Sequence, residues 1–145
     1  MTGSAWQTEQ SVDTAASPDF AWAYMSNVAN WDDPPAQFVL EGPFADGSRG
    51  TTHMPGQPPQ HWRLRDVVPV KSYTIEFSLD GAIMYFKWRF AALGEGRTRL
   101  TQQIVLDGEN AATYLPLVQQ SFAVSLKPGM ERIAASIDAA HIARE

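Results

Sequence analysis

The sequence predicts an α+β fold: a seven-stranded antiparallel sheet, apolar on one face, curved around one long C-terminal helix. Three observations carry this expectation. Between Asn110 and Ala143, the residues Leu115, Val118, Phe122, Leu126, Met130, Ile133, Ile137 and Ala140 recur at steps of three and four, which places them on one stripe of a helix. The stretch around Asp80-Gly81 has an apolar residue at every second position on both sides of a two-residue turn. Such a turn fixes the register of a hairpin. The rest of the chain is short alternating runs separated by clusters of Gly, Pro, Asp and Ser, the punctuation of an antiparallel sheet. A one-faced sheet and a one-striped helix cannot bury their apolar surfaces separately, so they pack together.

The elements follow in order. Trp6 to Thr14 alternates, with Trp6, Thr8, Gln10, Val12 and Thr14 on one face, and is the first strand. Ser17-Pro18-Asp19 starts a short helix, running to about Ser26: Ser caps it, Pro suits its first turn, and Asp complements its positive end. Asn27 to Trp31 adds a further turn. Asp32-Asp33-Pro34-Pro35 ends the segment. Gln37 to Leu40, Gly50 to Met54, and His61 to Val68 form strands two to four, and Ser72 to Leu79 forms strand five. Across Asp80-Gly81, Leu79 pairs with Ala82, Phe77 with Met84, Ile75 with Phe86, and Tyr73 with Trp88. The opposite face carries Ser72, Thr74, Glu76 and Ser78, as one wet side requires. Gly94-Glu95-Gly96 turns the chain into strand seven, Thr98 to Leu106. There Phe90 faces Leu100, Trp88 faces Gln102, Phe86 faces Ile104 and Met84 faces Leu106. Asn110 is the expected cap of the long helix, and Pro128-Gly129 is expected to kink or interrupt it.

The 145 residues suffice for a single domain spanning the chain, with an ordered core over about 6–143. No run approaches the roughly 18 apolar residues of a membrane helix. No basic region followed by an apolar run suggests a signal peptide. The chain has no cysteine, which removes disulfides and thiol chemistry and fits a cytoplasmic location. A net charge of -5 with scattered basic residues speaks against nucleic acid as a partner. The expected state is a monomer or homodimer. The compositional excess is aromatic: five Trp, seven Phe and four Tyr. Either these fill the core or they line a cavity for a small apolar molecule.

Some residues in this pattern carry more than packing. Gln102 puts an amide on the apolar face beside Trp88 and near Tyr73, where an unpaired amide costs roughly 1–3 kcal/mol. A local hydrogen bond or a ligand must answer it. His53 and His61 invite a metal reading, but symmetric pairing across Pro55–Gln60 sets them on opposite faces, so no metal site is expected. That pairing puts His53 beside Trp62 on the inner face, as an acid or base at a pocket wall or as a rim histidine. A register slip in the connecting loop would reverse it. Asp66 alternates with Leu64 and faces inward unless a bulge intervenes. Asp32 and Asp33 sit in a turn, where Asp is ordinarily a solvated cap. On the inner face, Ile75, Phe77, Phe86 and Trp88 are the expected apolar contacts of a ligand. Val118 and Phe122 face them from the helix, and Gln119 lies beside that stripe. Trp31 closes the mouth. No nucleophile–base arrangement, phosphate loop or metal-ligand spacing is visible, and no cofactor is expected.

The order strand, short helices, six strands, long helix resembles the START-related helix-grip (SRPBCC) superfamily, especially its polyketide cyclase/dehydrase and lipid-transport branch. Ser11-Val12-Asp13-Thr14-Ala15-Ala16-Ser17-Pro18-Asp19-Phe20-Ala21-Trp22 is similar to that family's first strand and helix start. Trp62 to Pro69, Gly96-Arg97-Thr98-Arg99-Leu100-Thr101 and the closing helix are also similar. The resemblance implies a cavity between sheet and helix that holds a small hydrophobic or aromatic, lipid- or polyketide-like molecule. Two alternatives stay open: a cyclase or dehydratase with His53, Asp66 or Tyr73 moving a proton, and a protein-interaction module without a ligand. The superfamily has no shared catalytic set to carry over.

Overall fold

Seven strands follow one another as neighbours, except that the first closes beside the last. The computed structural model describes residues 6–31 and 35–144. Its strands are β1 (Trp6–Thr14), β2 (Gln37–Leu40), β3 (Arg49–His53), β4 (Gln60–Val68), β5 (Ser72–Leu79), β6 (Ala82–Gly94) and β7 (Arg97–Asp107). They form one antiparallel sheet in the order β1-β7-β6-β5-β4-β3-β2. Between β1 and β2 lie helix α1 (Pro18–Met25) and a 3₁₀ turn, Val28–Asn30. Ser17 caps α1 by accepting a hydrogen bond from the Phe20 N–H at 3.2 Å, and Pro18 occupies its first turn. Asp32, Asp33 and Pro34 lie outside the described residues.

The hairpin registers are those the Asp80-Gly81 turn dictates. Tyr73 pairs with Trp88, Ile75 with Phe86, Phe77 with Met84 and Leu79 with Ala82. Trp88 in turn pairs with Gln102, and Phe90 with Leu100. The β3–β4 register differs from symmetric pairing across Pro55–Gln60. Gly50 opposes Trp62 and Thr51 opposes His61. The indole of Trp62 selects this register. It lies directly over Gly50, where any Cβ would sit 2.2 Å from the ring, and its N–H donates to Thr52 Oγ1 at 3.0 Å. A three-residue difference in register is odd, so it reverses the face of every side chain concerned.

The C-terminal helix is continuous but not uniform. It runs as α2 (Ala111–Val118), one wide π turn (Gln119–Ala123) and α3 (Val124–Arg144). Pro116 lies inside α2 and Pro128 inside α3. The irregularity thus falls between the two prolines rather than at Pro128-Gly129: the Val124 N–H reaches back five residues to the Gln119 carbonyl. Asn110 does not cap the helix with its side chain. Its amide instead donates to the Asp80 carbonyl at 3.0 Å, and the Tyr114 hydroxyl donates to the same carbonyl at 3.2 Å. At the other end Asp138 accepts from the Thr14 hydroxyl and, at 2.8 Å, from the Ala15 N–H. Asp138 is therefore a strap from the helix onto the end of β1. The helix is tied to the sheet at both ends, and its π turn lies between the ties.

The core lies between sheet and helix. From the helix, Val118, Leu126, Met130 and Ile137 are buried; from the sheet, Leu64, Tyr73, Trp88, Leu100, Ile104 and Leu106.

Candidate functional site

Side chains on the inner face follow from the registers. Gln10 pairs with Gln102, Gln102 with Trp88, and Trp88 with Tyr73. Partners in an antiparallel ladder share a face. Two amides, an indole and a phenol therefore form one row across four strands. None of these four side chains has a hydrogen-bond partner among the described residues, and the Tyr73 hydroxyl is fully buried in that state. Burial alone drives the Tyr73 phenol far above its ordinary range, so it stays protonated and neutral. Gln10 and Gln102 are half-buried. The strand positions on this face are all uncharged: Thr8, Val12, Leu64, Ile75, Phe77, Met84, Phe86, Phe90, Leu100 and Ile104 surround the row.

The aromatic residues divide into two groups. At the β2–β5 end, Trp62 lies 5.4 Å from Trp31, and Trp31 is in edge contact with Phe38 and Phe44. Tyr73 stacks on Trp88 at 6.2 Å, and Trp22 meets Tyr73 and Phe90 edge-on. The Trp31 N–H donates to the Met25 carbonyl at 2.7 Å, which pins that indole to the end of α1. The other group is looser. Phe77 meets Phe86 at 5.9 Å, and Phe86 meets Phe122 of the π turn at 5.4 Å, all edge-on. Ile75, Phe77, Phe86 and Leu115 are half-buried, and Phe122 is 37 % exposed. The middle of the inner face, beside the π turn, is thus apolar and only partly covered, while the β2–β5 end is filled by rings. Two hollows lie elsewhere. One of about 530 Å³ runs between β1 and α3, past Asp13, Arg99, Lys127 and Glu131. Another of about 350 Å³ lies on the outer face among Arg65, Glu76, Tyr85 and Lys87.

The residues singled out from the sequence fall as follows. Trp31, Trp62, Tyr73, Trp88 and Gln102 come together on the inner face, with Ile75, Phe77, Phe86, Val118 and Phe122 beyond them. His53 does not join them: it is exposed, because the β3–β4 register turns it outward beside Gln37. It shares the outer face with His61, contrary to the opposite-face reading, and His61 Nδ1 lies 3.3 Å from Thr51 Oγ1. No group of three metal-ligating side chains occurs among the described residues. Asp66 is exposed too. The β4–β5 ladder bulges between Arg65 and Val68, Asp66 has φ +52°, and its N–H donates to Asp46 at 2.6 Å. Gln119 is exposed, one step round the helix from the buried Val118. Two inner residues escaped the sequence reading as site residues. Gln10 was marked by the alternation of the first strand. Phe44 lay in a turn-rich segment with no periodicity to place it.

Similarity to known proteins agrees with this architecture. Norcoclaurine synthase from Thalictrum flavum, a point mutant in complex with a transition-state analogue, superposes with a TM-score of 0.73 at 13% identity, covering 97% of this chain and 98% of that one. A protein from Arthrobacter aurescens gives 0.71 at 15% identity, covering 96% and 91%. Ara h 8.0201 gives 0.67 at 14% identity, covering 95% and 98%. At these identities the likeness is one of fold. No curated protein matches by sequence. No helix among the described residues is long and apolar enough to cross a membrane. The family model for polyketide cyclase / dehydrase and lipid transport matches residues 5–138, and the chain belongs to that family.

Proposed function

We propose that this protein binds a small, uncharged, largely apolar molecule on the inner face of its sheet, under the C-terminal helix. Family and fold are consistent with hydrophobic-ligand binding there. The observation that carries the reading is the row Gln10, Gln102, Trp88 and Tyr73: polar ends without protein partners on an otherwise apolar surface. Leaving such groups unpaired costs roughly 1–3 kcal/mol each where they are fully buried. A ligand carrying hydroxyl or carbonyl groups recovers that cost, while Ile75, Phe77, Phe86, Val118 and Phe122 supply apolar contact. The uncharged strand positions favour a neutral ligand, since a buried ion would lack a counter-charge.

A cyclase or dehydratase using the same face has less support. His53 and Asp66 face outward, which leaves Tyr73, held neutral by burial, as the titratable candidate. That group suits hydrogen bonding to a ligand better than carrying a proton away from it.

Native mass spectrometry of protein purified from its own host tests the binding reading. A stoichiometric mass, lost on denaturation, is expected. Gln102→Leu should weaken its retention roughly tenfold with folding intact. Protein that retains nothing and binds no neutral apolar dye refutes the reading.

A further inference from the structure

We propose that Phe44 is a resident plug. Its ring occupies a seat that a ligand's aromatic ring takes when residues 42–45 swing away, and the incoming molecule is a neutral single-ring compound whose hydroxyl or carbonyl oxygen meets Tyr73. This deepens the binding reading above and rests on it.

The seat is built from fixed parts. Phe44 lies 5.0 Å from Tyr73 at 87°, 5.8 Å from Trp22 at 87° and 6.4 Å from Trp31 at 86°. All three are edge-to-face contacts, the geometry that aromatic quadrupoles favour. The three walls come from β5, from α1 and from the residue that ends the 3₁₀ turn. Phe44 itself belongs to no helix or strand.

The plug fits the shape of the seat but not its chemistry. The Tyr73 hydroxyl is buried and has no protein partner, and a phenyl ring offers it none. A ligand ring with one oxygen would keep the edge-to-face contacts and add the missing hydrogen bond.

Segment 41–48 is fastened at its two ends and free between them: Glu41 N–H donates to the Arg49 carbonyl at 2.9 Å. Gly47 N–H donates to the Leu64 carbonyl at 2.7 Å, Leu64 N–H to the Ser48 carbonyl at 2.9 Å, and Asp46 accepts from Asp66. From Gly42 to Ala45 the hydrogen bonds among the described residues run only to Ser48, from its N–H to the Ala45 carbonyl and from its hydroxyl to the Pro43 carbonyl. Gly42 and Gly47, on either side, both hold left-handed backbone, with φ +86° and +87°. Phe44 can therefore leave without breaking a hydrogen bond to the sheet.

Phenol and toluene, matched in size and differing in the hydroxyl, are the probes. Each is titrated by calorimetry into the wild-type chain, Phe44→Ala, Tyr73→Phe and the double variant, with thermal melts to establish folding. Where Phe44→Ala fails to fold, Phe44→Leu replaces it, removing the ring but keeping bulk. A plug taxes binding by the fraction of molecules that hold it open, so its removal should tighten phenol roughly tenfold or more. Phenol should exceed toluene by roughly tenfold in Phe44→Ala, and the preference should vanish in the double variant. A folded Phe44 variant that binds phenol no better than wild type overturns the plug, as does a phenol preference that survives Tyr73→Phe. If the wild-type chain still retains a host ligand in a Gln102-dependent way, only the plug has failed. If Phe44→Ala gains phenol while the wild-type chain binds no host ligand or dye, the ring fills a seat that nothing takes from it, and both readings fall.

Discussion

Tyr73 and Gly50 show how single residues serve opposite demands. Tyr73 is among the most buried side chains, yet its hydroxyl is the one fully buried side-chain polar atom without a partner among the described residues. An oxygen placed there for stability alone would have a partner. Tyr73→Phe should therefore leave unbound stability unchanged or raise it by up to about 1–3 kcal/mol, while weakening ligand retention. Chemical denaturation alongside binding separates the two effects, and a large loss of stability would mark the hydroxyl as structural. Gly50 is the reverse case. Its missing side chain is the space that the Trp62 ring fills, and that ring is also held by Trp31 and Thr52. Gly50→Ala should overpack the site and cost roughly 1–3 kcal/mol, read as a lower thermal midpoint.

The C-terminal helix owes its placement to its ends. Asn110 and Tyr114 tie it to the β5–β6 hairpin through one carbonyl, and Asp138 ties it to β1. Between them the π turn leaves Phe122 only partly covered and Val124 76 % exposed. Wide turns of this kind recur at functional positions. Asp138→Ala removes the acceptor for Thr14 and Ala15 and should cost roughly 1–3 kcal/mol in urea denaturation. Because the loss lies at the far tie, amide exchange should quicken in α3 more than in α2. Equal quickening along the whole helix would mean the two ties are not independent. The stripe of three- and four-residue steps was legible without coordinates. The π turn was not, since it leaves that spacing nearly intact.

Over the sheet as a whole, the ion pairs lie on its outer face. Arg89 meets Glu9, Arg65 meets Glu76, and Arg99 meets Asp13 at 2.9 Å. The hydrogen bond from Arg99 holds the Asp13 carboxyl below its ordinary range, helped by the charges of Arg99 and Arg97. A depressed folded-state value means that this contribution is present above the unfolded carboxylate range and disappears as pH falls through the folded value. The pair is solvent-exposed, so the effect is small. Melting temperature followed from neutral pH down through the carboxylate range should fall somewhat further for the wild-type chain than for Asp13→Asn. Parallel curves would show that Asp13 does not contribute.

Fold and register on the long hairpins were determined by the sequence alone. The alternation of apolar residues is local, and the Asp80-Gly81 turn leaves one pairing for β5 and β6, which carries Trp88 to Gln102 on β7. The inward placement of Tyr73, Trp88 and Gln102 followed from that. What the tertiary structure decided lay beyond the reach of local pattern. A six-residue connection does not specify the β3–β4 register; the seating of Trp62 on Gly50 does, and it turns His53 outward. A bulge has no periodic signature, so Asp66 was ambiguous until its backbone was seen. Phe44 sits in a segment without regular structure, and only the convergence of α1, the 3₁₀ turn and β5 places three rings around it. Side chains that alternate along a strand are positioned by their neighbours in sequence, whereas those that meet across elements are positioned by packing.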